Sequence, residues 1–102
     1  MTSSASSGIY SPMIECEIKI INKLGLHARA AAKLASTAGR YAAAIQTGHS
    51  LEKLVDAKSV MSLMLLAASQ DTVLHFRFNG EDEDAAHDNI CQLIADRFGE
   101  SE

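Results

Sequence analysis

The chain has 102 residues, 47% of them hydrophobic and 22% charged, the balance of one compact domain with a small core rather than of a disordered polymer. A formal charge of −4, with no aromatic-plus-basic pattern, argues against a nucleic-acid partner. No apolar run approaches the roughly 20 residues of a membrane span, and the opening "MTSSASSGIYSP" lacks a basic start and an apolar core, so a soluble, monomeric, cytoplasmic protein is expected.

Residues 1–12 are small and polar and read as a disordered extension, with the patterned domain over residues 13–102. From Ile14 the pattern has period two: Ile14, Cys16, Ile18 and Ile20 point one way, Glu15, Glu17 and Lys19 the other, as in a half-buried strand. "NKLG" ends it. From Ala28 the spacing of Ala31, Leu34, Ala35 and Ala38 is that of a helix core stripe, with Arg29, Lys33, Ser36 and Arg40 on the wet side and Gly39 as C-cap. "YAAAIQTG" predicts a second strand with Tyr41, Ala43 and Ile45 inward, "GHS" a turn, and "LEKLVDA" a weaker third strand. "SVMSLMLLAASQ" predicts a helix of at least two and a half turns opening on Ser59, a favourable N-cap. "TVLHFRFNG" alternates with Leu74, Phe76 and Phe78 inward. The last helix runs from about Asp82 to Phe98, on a stripe of Ala86, Ile90, Leu93 and Ile94, and its carboxylate-rich first turn suits the positive end of a helix dipole. The order β-α-β-β-α-β-α indicates an α+β, two-layer sandwich, helices on one face of a mainly antiparallel sheet.

Two features stand out chemically. The second helix is apolar almost all round, Leu63, Leu66 and Ala67 on one face and Val60, Met61 and Met64 on another. A domain this small cannot bury both, so a docking patch is favoured over an irregular core. The other feature is "INKLGLHARAAAKLAS", in which His27 stands at or beside a helix N-cap and Arg29 follows two residues later. Helix N-terminal amides are unpaired and favour an anion. A neutral imidazole is a nucleophile near pH 7, and a phosphoryl group on it would meet those amides and the Arg29 fork, with Lys33 a further turn along. On spacing alone, this reading and a surface histidine beside a solvated arginine stand level. His49, His75 and His87 form no cluster, Cys16 and Cys91 are far apart in sequence, and no cofactor motif is present, so neither metal nor cofactor is expected. The cysteines read as small buried or half-buried hydrophobes in a reducing compartment, with a disulfide as the lesser alternative.

"GLHARAAAKL" resembles the active-site signature of the HPr family, the histidine-containing phosphocarriers of the bacterial phosphoenolpyruvate-dependent phosphotransferase system. "DAKSVMSLMLLAA" resembles its second signature and "NGEDEDAAHDNICQLIADRFGE" its closing helix, in unbroken order from about Met13 to Glu100. The resemblance implies an open-faced sandwich, four antiparallel strands covered by three helices. It implies that His27 accepts phosphate on Nδ1 from phospho-enzyme I and passes it to IIA-type components, attended by Arg29, without turning over a small substrate. It further implies regulation by a kinase/phosphorylase at Ser59, and docking through Ala28 and Ala32 of the first helix and Val60, Met61 and Met64 of the second.

Two positions depart from the family pattern. Ala30 stands where proline is usual, and "ASQDT", before the last strand, lacks its usual glycine. Capping alone also explains Ser59. The competing functions are a regulatory carrier in the nitrogen-related branch of the system, using the same His27 chemistry, and a non-catalytic binding module. A hydrolase is disfavoured by the lack of a base or metal cluster.

Overall fold

Alternating exposure along Ile14–Lys19 makes that segment strand β1: Ile14, Cys16 and Ile18 are half-buried while Glu15, Glu17 and Lys19 face water. The computed structural model describes residues 13–102, so the proposed disordered extension lies outside the described residues. Helix α1, Ala28–Ala38, buries Ala30, Ala31, Leu34, Ala35 and Ala38, and a stripe this thin brings its backbone close to what it covers. Strand β2 is Ala44–Gly48, β3 is Val55–Asp56, helix α2 is Val60–Leu65, and β4 is Val73–Asn79. Helix α3, Glu83–Ala95, is followed by a 3₁₀ turn over Arg97–Gly99.

The sheet has the order β1-β4-β2-β3 with every pairing antiparallel, and Phe76 and Phe78 of the central β4 sit opposite Cys16 and Ile14 of β1 and Thr47 and Ile45 of β2. Phe76 and Phe78 stack at 6.0 Å and, with Leu74, are fully buried beneath the helices. The expected open-faced sandwich of four antiparallel strands and three helices is therefore the observed fold.

Four boundaries differ from the periodicity, each for a physical reason. β2 begins at Ala44 because the amides of Ala42 and Ala43 donate to the Asp82 carboxylate, both at 2.8 Å, and are lost to the ladder. Those two bonds, Ala42 first, hold the Asp82 carboxyl below the usual carboxylate range. β3 shrinks to two residues because the turn before it extends through Lys53, whose N donates to Ser50 O at 3.1 Å, and because Asp56 turns the chain after it, its side chain accepting from Lys58 N at 2.9 Å and its carbonyl from Ser59 N at 3.1 Å. α3 ends at Ala95, short of Phe98, since Arg97 and Phe98 are left-handed (φ 54° and 56°).

α2 is only six residues long and Ala67 lies outside it, exposed. The carbonyls just past it are captured from elsewhere: His49 Nε2 bonds Leu66 O at 2.7 Å, and Leu26 N donates to Ala68 O at 2.8 Å. The glycine-free turn that follows is made by left-handed Ala67 (φ 50°) and Asp71 (φ 73°). Alanine is strained there and glycine is not, so Ala67→Gly is expected to stabilise the domain by about 1 kcal/mol. A rise in the urea midpoint at constant slope checks this, and a fall would contradict it.

Cys16 and Cys91 are free thiols, both half-buried as expected, and burial is the main cause that pushes each up from its ordinary value.

Candidate functional site

The site begins in the loop between β1 and α1. Asn22 is fully buried and donates from Nδ2 to Gly25 O at 2.8 Å, closing the loop on itself. Gly25 has φ +69°, and a Cβ there would stand 2.5 Å from Ala68 O and 2.8 Å from Ser69 Cα. Only glycine lets the loop lie this close to the turn after α2. Leu26, 3% exposed, then anchors the loop in the core.

These constraints deliver His27 to the N-cap of α1 in extended backbone (φ −77°, ψ −179°). The first intrahelical bond runs from Ala31 N to His27 O at 2.8 Å, which leaves the amides of Ala28, Arg29 and Ala30 outside the ladder. Serine or aspartate in this place would fill that end with a side-chain oxygen; His27 makes no capping bond. Ala30, in place of proline, leaves the helix intact and is buried.

The ring of His27 is half-buried, 29% exposed, and turns its Nε2 to Oε2 of Glu100 from the far end of the chain. The other oxygen of Glu100 accepts from Asn22 Nδ2 at 2.9 Å. The Asn22 bond first, then the His27 bond and the charges of His27 and Arg29, hold the Glu100 carboxyl below its usual range against the opposing effect of burial. A lowered carboxylate supports the fold above its ordinary value, and the support is lost as pH falls through the lowered one. His27, Arg29, Lys23, Leu24, Glu100 and Glu102 rim an open depression of about 500 Å³. A transferred anion held there would stay accessible to a partner.

The other residues singled out from sequence take several places around the site. Arg29 is exposed and shares the depression with His27. Lys33 does not: its Nζ donates to Phe98 O at 2.6 Å, so its role is to hold the C-terminal turn. Ala28 and Ala32 are exposed on α1, and Val60, Met61 and Met64 are 38%, 73% and 46% exposed on α2, an unburied apolar surface of the kind expected. Met64 and Leu24 line a smaller depression that also touches His27, so the apolar surface runs up to the ring. Ser59 lies at the opposite end of α2, its Oγ accepting from Ser62 N at 3.2 Å as N-cap. Sequence reasoning missed Asn22, Glu100 and the exposed leucines Leu24 (67%) and Leu65 (80%). The one local hint was an asparagine three residues before a glycine in a loop. Among the described residues no group of three metal-ligating side chains converges, and no helix is long and apolar enough to cross a membrane.

The family model PTS-HPr, described as the PTS HPr component phosphorylation site, matches residues 14–96. The Phosphocarrier protein HPr of Pseudomonas aeruginosa is 52% identical over 86 residues, covering 84% of this chain and 96% of that one. The Phosphocarrier protein NPr of Shewanella violacea is 41% identical over 88 residues, covering 86% and 96%. The crystal structure of HPr-C-His from Thermoanaerobacter tengcongensis superposes with a TM-score of 0.81 at 39% identity, covering 87% of this chain and 99% of that chain. With the fold and these matches together, the chain belongs to the HPr family, the phosphocarriers of the phosphotransferase system.

Proposed function

We propose that His27 is the phosphoryl acceptor of this carrier, taking phosphate on Nδ1 from phospho-enzyme I and yielding it to IIA-type components. The single observation that supports this most is the pairing of Nε2 with Glu100: it occupies one ring nitrogen and leaves the other for chemistry beside the free amides of α1. Phosphoryl transfer of this kind is governed by positioning and charge stabilisation rather than by covalent work from further side chains. The protein is then a carrier and not an enzyme with its own small substrate. Incubation with phosphoenolpyruvate and enzyme I, followed by phosphorus NMR, tests the reading: a phosphohistidine resonance is expected, and its absence overturns it.

Arg29 attends the transferred group as a planar donor fork at the mouth of the same depression. Arg29→Ala is expected to slow acceptance and delivery by about 10- to 100-fold, the worth of a charge-assisted contact. The melting temperature should hardly move, because the side chain is exposed. Stopped transfer assays in both directions check it, and equal rates for variant and wild type contradict it.

Ala28, Ala32, Val60, Met61 and Met64 form the docking surface for enzyme I and IIA-type partners on this reading. Ser59 is the site for a kinase/phosphorylase. Phosphate on Ser59 would add about −1.5 to −2 charge beside Val60 and Met61 and weaken partners that dock there. The similarity to an NPr supports a second reading, a carrier of the nitrogen-related branch. Which IIA protein accepts the label separates the two.

A further inference from the structure

The last six residues are folded in a way that chain entropy would not choose. Arg97, Phe98 and Gly99 are left-handed in succession (φ 54°, 56° and 79°). Two non-glycine residues there cost roughly 1 kcal/mol each, and such strain persists only where surrounding structure dictates it. Here it is dictated three times over. Phe98 is fully buried, Lys33 Nζ holds its carbonyl, and Lys23 N donates to Glu102 O at 2.6 Å. The product of this arrangement is the position of one carboxylate. Glu100 is clamped between Asn22, itself fixed by Gly25, and Nε2 of His27.

An ionised carboxylate can only accept hydrogen bonds. The ring nitrogen that faces it must therefore carry the proton, and in neutral imidazole the other nitrogen, Nδ1, holds the lone pair. We infer that Glu100 is a positioning residue that keeps the proton of His27 on Nε2, presents Nδ1 as the nucleophile, and retains that proton while the phosphoryl group is carried. The inference rests on the carrier reading above and deepens it. In acceptance, the Nδ1 lone pair forms the N–P bond as the bond from phosphorus to the donor breaks, its electron pair leaving with the donor. The ring becomes cationic with its Nε2 proton still against Glu100, and no proton needs to move. In delivery, the acceptor's lone pair forms the new bond to phosphorus, the N–P pair returns to Nδ1, and a neutral imidazole leaves. Without the Nε2 proton the leaving group would be an imidazolate, a far poorer one. The other charged groups around the ring are Arg29 on α1, Lys23 in the loop and Glu102 in the tail, while the turn after α2 presents none. Lys23 and Glu102 pair with each other at 3.5 Å, which leaves Glu100 as the carboxylate on the ring.

The test uses the full chain and its variants Glu100→Ala and Glu100→Gln. Glutamine keeps one accepting oxygen for the two donors, Asn22 Nδ2 and His27 Nε2–H, that Glu100 satisfies, whereas alanine keeps none. Proton NMR of the wild type should show a slowly exchanging His27 Nε2–H resonance, weakened in Glu100→Gln and lost in Glu100→Ala. Transfer from enzyme I and to a IIA protein should slow about tenfold in Glu100→Ala and less in Glu100→Gln. A Glu100→Ala protein with the resonance intact, or with wild-type rates in both directions, overturns the inference while leaving His27 as carrier. A wild-type chain that takes no label at all overturns the carrier reading first, and is distinguishable because the Nε2–H resonance does not depend on phosphate.

Discussion

His27→Ala is expected to reduce phosphoryl uptake from phosphoenolpyruvate and enzyme I to background while the domain stays folded. The loss should be complete because no other histidine can substitute. His49 Nε2 is committed to Leu66 O, His75 stands on β4 within 3.7 Å of Glu17, and His87 packs edge-on against Phe78. None stands at the N-terminus of α1. The fold should survive because the His27 ring makes no capping bond and is 29% exposed; what it gives up is its contact with Glu100. A stability change of about 1 kcal/mol or less is therefore expected, the scale of one partly exposed hydrogen bond. Acid-labile label measured beside a urea titration checks both halves. Label retained by the alanine variant ends the assignment of His27. Label lost along with the fold would show that the ring is structural.

What the sequence disclosed and what it withheld divide by the range of the interactions. The strand at Ile14–Lys19 and the stripe Ala31, Leu34, Ala35, Ala38 were legible because periodicity is a local property, and burial follows it residue by residue. Ser59 was legible for the same reason: an N-cap bonds three residues along. Where helices and strands stop was less legible. α2 ends at Leu65, two residues before a left-handed Ala67, with no glycine to announce it, and two of the carbonyls just beyond are taken by His49 and Leu26, distant in sequence. The site was half legible. His27 and Arg29 lie in one short motif, but Asn22 meets Glu100 across 78 positions, and His27 meets it across 73. Nothing in "NKLG" or "FGESE" states that these segments touch. Lys33 was legible in part for a related reason: helical spacing gives the exposed side of α1 it occupies, while its partner, a carbonyl in the tail, comes from the other end of the chain.

Phe98→Ala is the substitution expected to cost the fold most, about 3–5 kcal/mol, against a total stability of roughly 5–15 kcal/mol for a domain of ordinary stability. The ring is fully buried among the largest core side chains, at the junction of the C-terminal turn with α1 and α3, and its removal leaves a cavity that rigid helices cannot close. A second loss follows from the backbone. Arg97 and Phe98 hold their left-handed conformations because burying the ring outweighs the strain; without the ring the strain of roughly 1 kcal/mol at each remains and the compensation does not. The segment beyond Ala95 should then fray, Lys33 lose its carbonyl, and Glu100 leave His27. A urea midpoint that falls at near-constant slope measures the cost, and faster amide exchange in residues 97–102 alongside loss of the His27 Nε2–H resonance measures the release. Phe98→Leu, which keeps most of the volume, should cost about 1.5 kcal/mol or less and leave that resonance in place. If alanine costs under about 1 kcal/mol, the turn is held by Lys33 and the tail's own hydrogen bonds, and the core residue is not what aims the carboxylate.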